Sequence, residues 1–274
     1  MNRPFSPSTS RRNSGRHQRP VPAAVLIVPQ QGIYERGSGK IHCEYHDRDV
    51  QVEQMLSVPR VMRDWALDIL ALSGGHTQKS VPHLTEADGA QELLRDLNIL
   101  VEMPEVRLVL DRNSLDSRDN LVFSLMEARK VIGQSPIGRI VVLSAWQFKK
   151  ARFMLTANAL GIAEQAYFIG VRNHEAANAG EKALNGELAQ LQKMLDSDDP
   201  LLMGPEWESK RHARYQGTDY SGRLASLRTD FPGCFAALDR MLHAGSSACA
   251  LPELQAAFRQ EVIQPSVVPV ALVA

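Results

Sequence analysis

The sequence predicts an α/β fold, a Rossmann-like and mostly parallel five-stranded sheet with helices on both faces, followed by a helical C-terminal extension. Three observations predict it. Short apolar runs at 23–28, 68–72, 106–110, 140–143 and 165–170 are rich in Val, Ile, Leu and Ala and end in polar clusters, the pattern of strands buried on both faces. Amphipathic stretches of helical period separate them, and that alternation means a parallel sheet covered on both sides. After residue 172 the strand signal stops and Ala-, Leu-, Glu- and Lys-rich helical sequence takes over.

Composition bounds the function. Hydrophobic residues make up 44% and charged residues 23% of 274, an ordinary globular mix. The formal net charge is zero, so the global basic field of a nucleic-acid binder is missing. Cys43, Cys234 and Cys249 are odd in number and far apart, which argues against a disulfide framework and fits a reducing, cytoplasmic setting. Residues 1–20 are Ser-, Arg- and Pro-rich, with no acid before Glu35 and no apolar segment of the signal-peptide kind. They read as a disordered basic tail. No apolar run is long enough to span a bilayer. The expected organisation is a tail at 1–20, an α/β core at 21–172, a helical extension at 173–264 packed on it, and an apolar arm at 265–274.

Taken in order, AAVLIV at 23–28 is the first strand, and Gln30 and Gln31 fall at its C-terminal end. Gly32, Gly37 and Gly39 follow at spacings that match neither a dinucleotide fingerprint nor a P-loop. His42, Cys43 and His46 have no matching ligand pair downstream and read as a polar surface segment rather than a metal centre. A helix is expected over 50–67, with Trp65 and Leu67 toward the core and Pro59 ending or restarting it. DILAL at 68–72 is the second strand, and Ser73, Gly74, Gly75 and His76 follow at once. Two adjacent glycines there permit close backbone approach or a tight turn. Thr85 is the expected N-cap of the next helix, with Glu86 in its first turn.

VRLVL at 106–110 is the third strand, and DRNSLDSRDN follows. Ser114, Asp116 or Ser117 can cap a helix whose apolar stripe is Leu121, Leu125, Ala128 and Ile132, with Gly133 as its stop. IVVL at 140–143 is the fourth strand. Ser144 and Gln147 have the spacing of a capping box, Phe148, Ala151, Leu155 and Ala159 form a stripe, and Gly161 closes the helix. Lys149, Lys150 and Arg152 in its first turns oppose the helix dipole, which suits them to partner a bound anion. QAYFIG at 165–170 is the fifth strand; a helix is expected at 175–197, a turn and then a charged helix at 198–215, and further helices at about 234–243 and 252–262.

The polar groups cluster at strand C-termini, the edge where open parallel sheets bind ligands. The candidate set is Gln30, Gln31, Ser73, Gly74, Gly75, His76, Asp111, Ser114, Asn120, Ser144, Trp146, Gln147 and Lys150. In one reading Lys150 and the helix N-termini hold a carboxylate or phosphate, Trp146 stacks on an adenine, Asp111 binds ribose hydroxyls, and His76 or Asp111 is the base of a group transfer. In a second, Asp111 and Asp116 converge on one divalent ion to hydrolyse a phosphorylated metabolite or envelope precursor. A third is a non-enzymatic ligand-binding or interaction module.

Four of these boxes in order resemble the YdcF/SanA/ElyC-like family: Ser73-Gly74-Gly75 with Glu86-Ala87; Asp111, Ser114, Asp116, Asp119 and Asn120; Ser144, Trp146, Lys150 and Ala151; and Gly161-Ile162. The segment DPLLMGPEWESKRHARY is similar to the stretch that follows the core in YdcF-like members, so the resemblance covers about residues 23–215. Gln147 stands where the family has His, Lys150 where it has Arg, and Asp111 where Glu is usual. The resemblance implies a Rossmann-like fold and, as in some members of the soluble YdcF-like branch, binding of S-adenosylmethionine.

Overall fold

The computed structural model describes residues 21–30, 34–35, 41–42, 48–77, 83–172, 180–196, 201, 220–243 and 250–265. The basic tail, Gln31, the side chains of His42, Cys43 and His46, the 198–215 helix apart from Leu201, and the arm beyond 265 lie outside them.

The expected sheet is present. Strands β1 (Ala23–Pro29), β4 (Ile69–Ser73), β5 (Arg107–Asp111), β6 (Ile137–Trp146) and β7 (Ala166–Arg172) form one parallel sheet in the order β5-β4-β1-β6-β7. Between β1 and the first helix, β2 (Tyr34–Glu35) and β3 (Ile41–His42) make a two-stranded antiparallel ladder. From β1 the chain builds outward through β4 to β5, then returns to β6 on the other side and continues to β7. The neighbours β1 and β6 therefore send their chains in opposite directions, and the gap between their C-terminal ends is the topological switch point.

Helices α1 (Arg48–Asp64) and α2 (Glu86–Asp96) cover one face, and α3 (Ser117–Ile132) and α4 (Lys150–Ala159) the other. Strand alternation explains the two cores. Ala24, Leu26 and Val28 of β1 meet Met55, Val58 and Met62 of α1, whereas Val25 and Ile27 meet Phe123 and Leu125 of α3. Caps close the helices where short polar side chains or glycine permit. Thr85 and Asp88 form a reciprocal capping box on α2. Of the three candidates before α3, Asp116 takes the cap, accepting from the amides of Arg118 and Asp119. Gly133 and Gly161 end α3 and α4 with φ of 69°, a conformation that favours glycine.

Two expectations fail. Pro59 neither ends nor restarts α1, which runs unbroken for 17 residues. An internal proline costs about 3 kcal/mol. The buried side chains around it, Met55, Val58, Val61 and Met62, each contribute roughly 1.5–3 kcal/mol, so packing outweighs the lost backbone bond. Nor do Ser144 and Gln147 form a capping box. With β1 and β7 on either side, β6 stays paired as far as Trp146, opposite Arg172. Ser144 is thus inside the strand, where its Oγ accepts from Trp146 N at 3.3 Å. Gln147–Lys149 then form a 3-10 turn ahead of α4.

The extension comprises α5 (Gly180–Asp196), α6 (Tyr220–Asp230), α7 (Pro232–His243) and α8 (Leu251–Phe258), with a π-helical turn at Arg259–Ile263. Helix α6 was not expected from the sequence. Phe231, Phe235, Leu238, Leu254 and Phe258 join the α3-side core, and Phe123 stacks on Phe235 at 6.5 Å. The buried Arg129 guanidinium clamps this packing by donating to the carbonyls of Val262 and Ile263 as well as Gly133 and Ser135. Among the described residues no helix is long and apolar enough to cross a membrane.

Candidate functional site

Parallel pairing aligns the strand ends. Pro29 pairs with Ser73, and Ser73 with Asp111, so three polar loops leave the sheet from one row. Ser144 and Gly170 continue the edge beyond β1. At the switch point the α1 residue Gln54, 1% exposed, donates Nε2–H to the carbonyls of Pro29 (3.2 Å) and Leu143 (2.7 Å). It satisfies backbone groups left open where β1 and β6 part.

Asp111 has no exposed surface. Its Oδ2 accepts from the hydroxyls of Ser73 (2.6 Å), Ser124 (3.0 Å) and Ser114, and its Oδ1 from the amides of Asn113 (2.9 Å) and Ser114 (3.2 Å). Ser73 Oγ also lies 3.0 Å from Asn120 Oδ1. Burial raises the Asp111 carboxyl to about 6, against the lowering effect of the bonds from Ser114, Ser73, Asn113 and Ser124. These groups join β4, β5 and α3. Asp111, Ser73, Ser114 and Asn120, expected at a ligand, form a closed network within the protein.

The paired glycines serve the same junction. A Cβ on Gly75 would sit 2.5 Å from the Arg112 carbonyl oxygen, and one on Gly74 would sit 2.6 Å from Glu86 Cβ. Their amides bind the next loop, Gly74 N donating to Asp111 O (2.9 Å) and Gly75 N to Ser114 O (2.6 Å). His76, half-buried, has Nε2 2.9 Å from the Leu115 carbonyl. The close approach expected of the glycines is therefore backbone against backbone.

A second cluster, of charges, lies over the β6 end of the edge. Lys149 comes from the 3-10 turn ahead of α4, Arg152 from the first turn of α4, Glu86 from the start of α2, Asp116 from the cap of α3 and Glu187 from α5. Arg152 pairs with Glu187 at 2.5 Å, with 12% and 5% of the two side chains exposed. Burial pushes the Lys149 ammonium down to about 8; Arg152 adds to this, while Glu187 and Glu86 oppose it. Burial raises the Glu187 carboxyl against the pull of Arg152 and Lys149. Asp116 is also desolvated, yet the adjacent Arg118 guanidinium holds it below the ordinary carboxylate range. Arg118 in turn donates to the Leu201 carbonyl at 2.7 Å, tying the extension to α3.

Three buried polar atoms at this edge have no hydrogen-bond partner among the described residues: Gln30 Oε1, Arg152 Nε and Glu187 Oε1. Gln30 is 5% exposed at the end of β1, with its Nε2 donating to Val28 O. An unpaired buried polar group costs about 1–3 kcal/mol, so these three atoms are the least satisfied polar groups of the edge among the described residues.

The other expected residues distribute unevenly. Trp146 is buried against Val50 and stacked on Phe148 at 5.7 Å. Gln147 lies over Gly170, where a Cβ would come within 2.7 Å of its backbone nitrogen. Ser144 is buried inside β6. Lys150 is exposed, and its neighbour Lys149 is the lysine that belongs to the charge cluster. Sequence reasoning passed over Gln54, Arg118 and Glu187. One signal existed for Glu187: it lies seven residues before the buried Met194, on the same face of α5.

No protein-family model matches this chain, and no curated protein or solved structure matches it either.

Proposed function

We propose that the chain is a YdcF-like protein that binds a small anionic, adenine-containing ligand at the C-terminal strand edge, with S-adenosylmethionine the first candidate. The observation that carries the reading is the half-buried cation pair Lys149 and Arg152 beside the switch point, with unpaired buried polar atoms around it. Cations withdrawn from water hold an anion more strongly than exposed ones. Gln30 Oε1 would accept an N–H or O–H from the ligand, such as an adenine amine or ribose hydroxyl, and Arg152 and Lys149 would hold the carboxylate or phosphate. The adenine rests on the family resemblance. When bound, S-adenosylmethionine supplies an electrophilic methyl group, so group transfer is the reaction class of this reading. Asp111, enclosed by five hydrogen bonds, keeps the loops in place rather than acting as the base.

The hydrolytic alternative draws less support. Asp111 is bound to serines and amides and Asp116 to Arg118, so the two carboxylates serve separate partners. Thermal unfolding with S-adenosylmethionine, its demethylated product, ATP, NAD, a sugar phosphate and magnesium tests the reading. A ligand at a hundred times its dissociation constant stabilises by roughly 2.7 kcal/mol, a shift of several degrees. The expected result is a shift with S-adenosylmethionine that Lys149→Ala removes and Lys150→Ala leaves intact. A shift with magnesium and sugar phosphate alone would overturn it in favour of hydrolysis, and no shift at all would favour an interaction module.

A further inference from the structure

The Arg152–Glu187 pair is half-used. One guanidinium nitrogen meets one carboxylate oxygen at 2.5 Å, while Arg152 Nε and Glu187 Oε1 find no partner among the described residues. Glu187 is nine-tenths buried and more, so water reaches its carboxylate poorly. Arg–carboxylate pairs are frequently bidentate, and a buried pair repays its desolvation best when its remaining donors and acceptors are also engaged; here one arm of each partner is not. Lys149 adds a second cation within electrostatic reach of the same carboxylate, and Glu86 a second anion within reach of Lys149. Both signs of charge are thus held together in a partly dry place, an arrangement that a plain phosphate would leave half unmatched.

We infer that Arg152 and Glu187 form a subsite for a zwitterion, the α-amino-acid end of a ligand. Arg152 Nε–H, with Lys149, receives the carboxylate, and Glu187 Oε1 receives the ammonium. The inference rests on the ligand reading above and extends it: the amino-acid end, rather than the nucleoside, supplies the charge recognition. It also gives the helical extension a part in the site, because Glu187 belongs to α5 while Arg152 belongs to the α/β core. Leu201, held by Arg118, anchors the chain just beyond α5.

Titration calorimetry on the full chain tests this, with three probes: S-adenosylmethionine, methylthioadenosine (the same nucleoside thioether without the amino-acid end) and methionine. The variants are Glu187→Gln, which keeps the shape and loses the charge, and Arg152→Lys, which keeps the charge and loses Nε. The expected result is S-adenosylmethionine binding at least about tenfold tighter than methylthioadenosine, with Glu187→Gln removing most of that advantage and leaving methylthioadenosine unchanged. Equal affinity for both nucleosides, or a loss in Glu187→Gln that is the same for both, would overturn the zwitterion subsite while leaving the adenine-ligand reading intact. Binding of methionine with no nucleoside bound would do the opposite. No binding of any probe would overturn both. Far-ultraviolet circular dichroism of each variant separates lost affinity from lost fold.

Discussion

Replacing Asp111 by asparagine should change how stability depends on pH. The carboxyl has no exposed surface, and burial raises it from an ordinary 3.8 to about 6. A raised folded-state value means that the fold prefers the neutral carboxyl. Its contribution is complete below about 3.8 and is lost as pH rises through about 6. At about 1.4 kcal/mol for each pH unit, ionising this group should cost the fold on the order of 3 kcal/mol between pH 4 and pH 7. Asparagine keeps an oxygen for the amides of Asn113 and Ser114 and offers an NH2 where Oδ2 accepted three hydroxyls; two of the serines rotate to accept its two hydrogens and the third loses its partner. Asp111→Asn should therefore cost about 1 kcal/mol at pH 4, where the wild-type carboxyl is neutral, and should stabilise the protein at pH 7. Urea unfolding of both proteins at half-unit steps from pH 4 to pH 7.5 measures the difference. A stability difference that stays constant across that range would refute the reasoning: the carboxylate would then be as well solvated by its five donors as by water.

Two further predictions concern the same edge. Gly75→Ala drives a Cβ against the Arg112 backbone carbonyl at 2.5 Å, so the two loops must separate, at a cost of about 1–3 kcal/mol; an unchanged urea midpoint would show that the loops are not tightly joined. Lys149, with its ammonium pushed down to about 8 from 10.5, should be acylated by an amine-directed reagent with a pH midpoint near 8, measured by peptide mass spectrometry; a midpoint near 10.5 would mean that it is fully hydrated.

What the sequence determined by itself is the set of features written in local chemistry. The strands were legible because each holds a short apolar run, fully buried in β1 and β4 with no polar face to hide, and the helix ends at Thr85, Gly133 and Gly161 because caps and stops act over three or four residues. The row of polar loops at the C-terminal strand edge followed from the same pattern, since parallel pairing must align Pro29, Ser73 and Asp111. The tertiary structure alone decided which polar side chains turn inward to one another and which remain available. Ser73, Asp111, Ser114 and Asn120 look like ligand groups in sequence, and only their mutual distances show that they satisfy each other. Lys149 and Lys150 are indistinguishable neighbours until the turn ahead of α4 points one at the charge cluster and the other at solvent. Glu187 reaches Arg152 across 35 residues, and Pro59 sits in an unbroken helix because core packing outweighs its local cost. In each case the deciding energy comes from contacts between residues distant in the chain, which no local pattern records.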